Sequence, residues 1–120
     1  MSSLKSILKV LCGSEGVKGA IMITKDGMVI ETNLDPKFDA ETLAAFMSQI
    51  YVTITNSLAG LGQKEFTRYV MQSNQAKIFL MDLGKSALIT ITDVDTDQGK
   101  VNVAFFQAAN EIKKTGRIDV

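Results

Sequence analysis

The sequence predicts an α+β domain in which three helices pack on a five-stranded antiparallel sheet. Apolar residues recur at helical spacing in three segments, and runs rich in apolar and β-branched residues are separated by tight-turn signals. The predicted order is helix, two strands, helix, three strands, helix. Because tight turns join neighbouring strands, we expect these strands to pair antiparallel. At 120 residues the chain has the length of one domain, so we expect residues 1–120 to form a single domain.

The first helix and the first hairpin are predicted from local patterns. Apolar residues recur at helical spacing over residues 3–12, which predicts a helix with one buried stripe. Two β-rich runs, 19–24 and 28–32, flank Asp26-Gly27. An Asp-Gly pair between such runs is a strong hairpin signal because both residues tolerate the positive φ of a two-residue turn. We therefore expect a β-hairpin here.

The second predicted helix is the longest. Asp39 has the character of an N-cap, and Glu41 in the first turn suits the helix dipole. The helical pattern continues to about Leu61, where Gly62 ends it. We therefore expect a helix of roughly 20 residues.

Three strands and a helix are predicted after the second helix. The strands cover residues 65–73, 75–82 and 86–93, and turn residues lie between them. The final helix is predicted over residues 99–115, with one apolar face and cationic residues near its C-terminal end.

The composition argues against several classes of function. Lysines and arginines equal aspartates and glutamates at 13 each, which argues against nucleic acid or a membrane as the main partner. The absence of His removes the commonest catalytic base and zinc ligand. The one cysteine, Cys12, is expected to be a small hydrophobic side chain and not a reactive thiol. We therefore expect no enzyme activity, no metal and no cofactor, no membrane insertion, and a cytoplasmic location.

An acidic stretch, Asp93-Val94-Asp95-Thr96-Asp97, is the closest approach to a metal-binding motif. Its alternating carboxylates resemble a calcium loop, but Gln98 occupies the position where the tight turn needs glycine. A strand and not a helix is predicted before it. We therefore interpret the stretch as a solvated turn whose last acid caps the final helix.

The second predicted helix lacks charge over residues 42–63. A helix with one exposed face normally carries Lys, Glu or Arg on that face. The larger apolar residues are expected to pack on the sheet: Leu43, Phe46, Met47, Ile50, Ile54, Leu58 and Leu61. The opposite face is expected to carry smaller residues at alternating spacings of three and four: Ala45, Ser48, Val52, Thr55 and Ala59.

That spacing is typical of a helix–helix contact, and small side chains permit close approach. We expect a second copy of the chain to cover this face, because in a two-fold dimer one patch serves both subunits. The alternative is a weakly polar face exposed to solvent. The next strand fits the dimer: at a sheet edge, Phe66, Arg68 and Val70 could pair with their own copies and continue the sheet across two chains.

Over nearly its whole length the sequence resembles the roadblock family of dynein light chains, in its prokaryotic MglB-like branch. The resemblance rests on the element order, on the stretch 19–30 and on the Ser/Thr/Ala-rich second helix. It rests also on residues 88–93, which lead through Gly99 into an apolar final helix. The resemblance implies a dimer with helices on both faces of a shared sheet, and a relationship to the profilin-like and longin folds.

The resemblance also implies a function. Bacterial and archaeal members are partners of small Ras-like GTPases, and some accelerate GTP hydrolysis without inserting a catalytic arginine. We therefore expect a non-catalytic homodimer that binds a small Ras-like GTPase, with a structural dimerisation module as the alternative. The chain has two arginines, Arg68 in a predicted strand and Arg117 in the tail, and we expect neither to act as an arginine finger.

Overall fold

A computed structural model of the protein describes residues 3–62 and 68–115. Within them the chain forms three helices and five strands in the predicted order. The elements in chain order are α1 (Leu4–Cys12), β1 (Val17–Thr24), β2 (Val29–Asn33), α2 (Ala40–Gly60), β3 (Arg68–Gln72), β4 (Ala76–Asp82), β5 (Ser86–Asp93) and α3 (Gln98–Lys114).

All five strands belong to one antiparallel sheet with the order β2-β1-β5-β4-β3. The predicted fold class is thus confirmed. The first hairpin and the three later strands join where β1 pairs with β5, with Ala20 opposite Thr90. As the central strand, β5 is buried on both faces, and seven of its eight residues lie in the interior. The strand β3 lies at one edge, as its proposed pairing with a second copy requires, although the predicted start of this strand at residue 65 falls outside the described residues.

The helices cover the two faces of the sheet unequally. On one face, α1 and α3 pack together over Met22, Phe79 and Leu88, and the rings of Phe79 and Phe105 meet with centroids 4.7 Å apart. Among the helices of the described residues, α2 is the one that covers the other face, where it contacts residues such as Ile21 and Ile89. The sheet is therefore the middle of three layers, and each outer layer presents its own surface.

Side-chain caps begin each helix. The Ser3 hydroxyl accepts a hydrogen bond from the Ser6 backbone N–H at 3.1 Å. The Asp39 carboxylate accepts from Glu41 and Thr42, as the predicted N-cap of α2 requires. Because such a cap is worth about 1 kcal/mol, the start of each helix is set locally by its sequence.

Leu43, Met47 and Ile50 of α2 pack on the sheet as predicted, but three other residues lie on a different side from the one expected. Phe46 and Leu61 were expected against the sheet, but 61% and 75% of their surfaces are exposed. Ser48, expected on the opposite face, is buried instead, and its hydroxyl donates to the Lys25 carbonyl oxygen at 2.8 Å. The reason is a close approach of the β1–β2 turn: a Cβ atom on Gly27 would lie 3.2 Å from the Ser48 Cβ, so only small residues fit there. Side-chain size therefore predicted most of the buried face but placed Phe46, Leu61 and Ser48 wrongly.

Candidate protein-interaction site

The exposed face of α2 is the first part of the candidate site. Glu41 is the only charged residue in this helix of 21 residues. Phe46 and Val52 are exposed to 61% and 48%. A shallow cleft of about 230 Å³ lies along the helix between Phe46 and Ile54. An uncharged helix face with exposed large apolar side chains is typical of a protein contact surface, because covering these side chains with a partner removes apolar surface from water and stabilises the complex.

Three of the five residues predicted for the helix seam lie on this exposed face. Ala45, Val52 and Ala59 are exposed. Thr55 is half-buried, and its hydroxyl donates to the Tyr51 carbonyl oxygen within the helix at 2.9 Å. Ser48 is buried within its own subunit. The seam that a second copy could contact is thus centred on Val52, and Phe46 extends it.

The edge strand β3 is the second part of the candidate site. Val70 is 45% exposed and lies on the same sheet face as α3. The Arg68 guanidinium is directed to that face too, where it donates to the Asn102 side-chain oxygen of α3 at 2.6 Å. Phe66, the third predicted edge residue, lies outside the described residues. The backbone of β3 has a strand partner only on the β4 side, among the residues described.

A polar cluster under α2 was not predicted from the sequence. The Lys25 Nζ atom lies 2.8 Å from one Asp82 carboxylate oxygen, and the Tyr51 hydroxyl donates to the other, also at 2.8 Å. Lys25 in turn donates to the Tyr51 hydroxyl oxygen at 3.0 Å. The cluster thus connects the β1–β2 turn, α2 and the β4–β5 turn. A sequence signal existed, since Lys25 and Asp82 each border a glycine turn and both turns fall at the same end of the sheet.

The protonation of this cluster follows from its contacts. Burial alone raises the pKa of Asp82, but hydrogen bonds from Lys25, the Gly84 backbone and Tyr51 outweigh it and lower the pKa. Burial alone lowers the pKa of Lys25, and the contacts with Asp82 and Tyr51 reverse that effect and raise it. Both groups are therefore charged at neutral pH, and the pair positions α2 on the sheet.

The acidic stretch and the lone cysteine do not form a chemical centre. The Asp97 carboxylate accepts from the Gly99 and Lys100 backbone N–H groups, which confirms it as the cap of α3. Across residues 3–62 and 68–115 no three His, Cys, Asp or Glu side chains are grouped to hold a metal ion. Burial raises the pKa of the Cys12 thiol by more than its hydrogen bond to the Asn33 carbonyl lowers it, so this thiol is protonated at neutral pH. None of the helices in the described ranges combines the length and apolarity that crossing a bilayer requires.

Fold and surface together define a small α+β domain that presents an uncharged helix face on α2 and a sheet edge at β3. The sequence profile of the Roadblock/LC7 domain matches residues 5–93, about three quarters of the chain. The chain therefore belongs to the Roadblock/LC7 domain family.

Comparisons with individual proteins agree with this assignment. Two proteins of Methanocaldococcus jannaschii, both described as uncharacterized, are each 28% identical over 107 residues, which is 89% of this chain and 94% of theirs. Myxococcus xanthus MglB has a similar structure, with a TM-score of 0.87, 18% identity and 93% of both chains covered. A Roadblock/LC7 domain from Streptomyces avermitilis superposes with a TM-score of 0.83 at 18% identity, over 95% of this chain and 98% of that one. The predicted roadblock-like fold is thus confirmed.

Proposed function

We propose that this protein is a non-catalytic homodimeric regulatory module that binds a small Ras-like GTPase. The observation that carries the proposal is the exposed face of α2, which has large apolar side chains and a single charge in 21 residues. Membership of the Roadblock/LC7 family and the structural similarity to MglB support a role for this surface in binding another protein. The finer claims, a homodimer and a GTPase partner, are what the experiments must test.

The proposed dimer uses two neighbouring surfaces. Val52 and the small residues Ala45 and Ala59 of α2 would meet their copies near a two-fold axis. The exposed edge of β3, including Val70, would pair antiparallel with its copy and join two five-stranded sheets into one. An edge strand covered in this way also no longer presents unpaired backbone groups for aggregation.

A GTPase partner would be regulated without an arginine finger from the described chain. A finger must reach the nucleotide and supplies on the order of 10³ to 10⁵ in rate. Arg68 is held within its own subunit by the 2.6 Å hydrogen bond to Asn102, so it does not project. Arg117 lies outside the described residues and is the competing candidate. Any acceleration of hydrolysis would then come from rearranging the GTPase's own catalytic groups.

The experiment starts with affinity capture of Ras-like GTPases from the native cell extract, followed by binding and GTP turnover with the purified GTPase. We expect Phe46→Glu to weaken GTPase binding at least tenfold, because it places a charge on the uncharged face. Since Phe46 also extends the proposed seam, light scattering of this variant must show whether the dimer is kept. Phe106→Glu on α3 is the matched control, since Phe106 is 68% exposed on the other side of the sheet. We expect Arg68→Ala and Arg117→Ala to keep turnover within about tenfold.

Two outcomes would contradict the proposal. A dimer that binds no Ras-like GTPase would favour the structural dimerisation module. A thousandfold loss of turnover with intact binding, in either arginine variant, would make this protein a direct catalytic partner.

A further inference from the structure

An apolar groove lies between α1 and α3, on the side of the sheet opposite α2. Its volume is about 370 Å³, and its lining includes the apolar side chains of Ile7, Leu11 and Ala108. Val10 also lines the groove, yet 76% of its surface is exposed. A valine this exposed beside an apolar groove favours an apolar occupant, because covering both removes apolar surface from water.

The one charged residue that lines this groove is acidic. It is Glu111, and its cationic contact within residues 3–62 and 68–115 is Lys114, at 3.7 Å. Both side chains of this pair are well exposed and lie three residues apart in the same helix, an arrangement that contributes little to stability. Glu111 is therefore open to a second cation. The groove thus favours an occupant that is apolar and has a positive charge at the Glu111 end.

The Glu111 end of the groove is also the end at which α3 stops. β1 begins beside the end of β5, since Val17 pairs with Thr92. Because α1 leads into β1 and α3 follows β5, the two helices run antiparallel along the groove. The last residue of α3 is Lys114, one turn beyond Glu111, and Thr115 caps the helix. The chain therefore leaves α3 at the mouth of the groove.

The next five residues have the chemistry that this groove favours. They are Gly116-Arg117-Ile118-Asp119-Val120, and they lie outside the described residues. A glycine directly after a helix permits the chain to reverse its direction. Side chains alternate in an extended segment, so Ile118 and Val120 would share one side. Five extended residues span about 16 Å, which exceeds the length of about 10 Å over which Ala104–Glu111 lines the groove.

We propose that the segment 116–120 binds in this groove of its own subunit. Its two apolar side chains cover Val10, and the Arg117 guanidinium pairs with the Glu111 carboxylate at the near end. Arg117 is thereby held on the side of the sheet opposite α2, away from any partner on that helix. The inference does not depend on the proposed function, since it concerns contacts within one subunit.

Disulfide trapping in the full 120-residue chain tests the contact. In a Cys12→Ala background, Val10→Cys/Ile118→Cys should form an intramolecular disulfide under air oxidation. Phe106→Cys/Ile118→Cys is the matched control, because Phe106 is similarly exposed, at 68%, but does not line the groove. We expect the first disulfide to form at least tenfold faster, since binding in the groove raises the effective concentration of one thiol at the other. Non-reducing mass spectrometry separates the intramolecular product from a cross-linked pair of chains.

The same assay tests the ion pair. Arg117→Glu should slow the disulfide between positions 10 and 118 at least threefold, because two carboxylates then repel each other at the near end. Adding Glu111→Lys reverses the pair and should restore the rate. Equal rates for the two cysteine pairs would overturn the proposal, as would a reversed pair that does not recover. A product that joins two chains would assign the groove to the segment of a second copy and would overturn it too.

Amide chemical shifts of the isotope-labelled protein give a readout without cysteines. Ile118→Asp/Val120→Asp should change the shifts of α1 and α3 residues around the groove and leave α2 unchanged. Asp119→Ala is the control, since its side chain is directed away from the groove in the proposed arrangement, and it should leave the shifts of both helices unchanged. If the double variant also leaves them unchanged, the segment does not bind there and the proposal fails.

Discussion

At the scale of single residues, the Lys25–Tyr51–Asp82 cluster is the contact that positions the candidate surface. Its three side chains come from three separate elements, and the salt bridge is largely shielded, with 29% of the Lys25 side chain and 19% of the Asp82 side chain exposed. A pair this well shielded is screened by salt less than a surface pair. The cluster therefore adds a polar contact at Tyr51 to the apolar packing that holds α2 on the sheet.

The cluster predicts how stability depends on pH. Because the pKa of Asp82 is lowered in the folded protein, its contribution is complete above the ordinary carboxyl pKa of about 3.9 and is lost as the pH falls through the lowered value. Asp82→Asn should cost about 1 kcal/mol at neutral pH. It should also flatten the fall in the free energy of unfolding below about pH 4. Urea unfolding across pH measures both effects, with Asp95→Asn in an exposed loop as the control; identical profiles for wild type and Asp82→Asn would rule out this role.

At the scale of elements, α2 packs closely on the β1–β2 turn because Gly27 has no side chain. Gly27 has φ +96° and lies against the helix: a Cβ atom there would be 3.4 Å from the Ala45 Cα. Gly84 has φ +104° in the β4–β5 turn, and a Cβ atom there would have open space within 4 Å. Both glycines have a positive φ that would strain any other residue, but only Gly27 has a neighbouring helix close enough to contact an added Cβ atom.

This difference can be measured. Gly84→Ala should cost about 1 to 2 kcal/mol, because only the left-handed backbone conformation is strained. Gly27→Ala should cost at least about 1 kcal/mol more, because α2 must also move away from the turn. Urea unfolding of the two variants gives the comparison. Equal losses would show that the turn does not limit how closely α2 approaches the sheet.

At the scale of the whole molecule, the sheet separates two surfaces of different chemistry. The α2 side is nearly uncharged and has exposed apolar residues, whereas the α1/α3 side has five exposed lysines. A dimer formed through α2 and β3 would leave both α1/α3 faces at the outside.

The dimer itself is tested by one substitution and its matched control. Light scattering behind size exclusion should give about 26 kDa for the wild type, twice the 13.0 kDa chain. Val52→Arg should shift the mass toward the monomer, since burying unpaired charges at the two-fold contact costs several kcal/mol. Val103→Arg, at a 57% exposed position of α3, should leave the dimer intact. A wild-type monomer at micromolar concentration, or a Val52→Arg variant that still forms the dimer, would contradict the proposed contact between the two copies of α2.

Local patterns in the sequence determined the elements of this protein, because caps, turns and periodicity act between residues close in the chain. Asp39 and Asp97 cap the helices they were expected to cap, and the predicted hairpin forms around Asp26-Gly27, although only Gly27 of this pair has a positive φ. The absence of charge in α2 likewise indicated a contact surface. Only the tertiary structure decided that Phe46 is exposed and Ser48 is buried, the reverse of what was expected of these two residues. The close approach of the Gly27 turn to α2 and the contact between Lys25 and Asp82, which lie 57 residues apart, accompany this arrangement. The periodicity of the sequence predicts neither contact, because each one joins residues that are far apart in the chain.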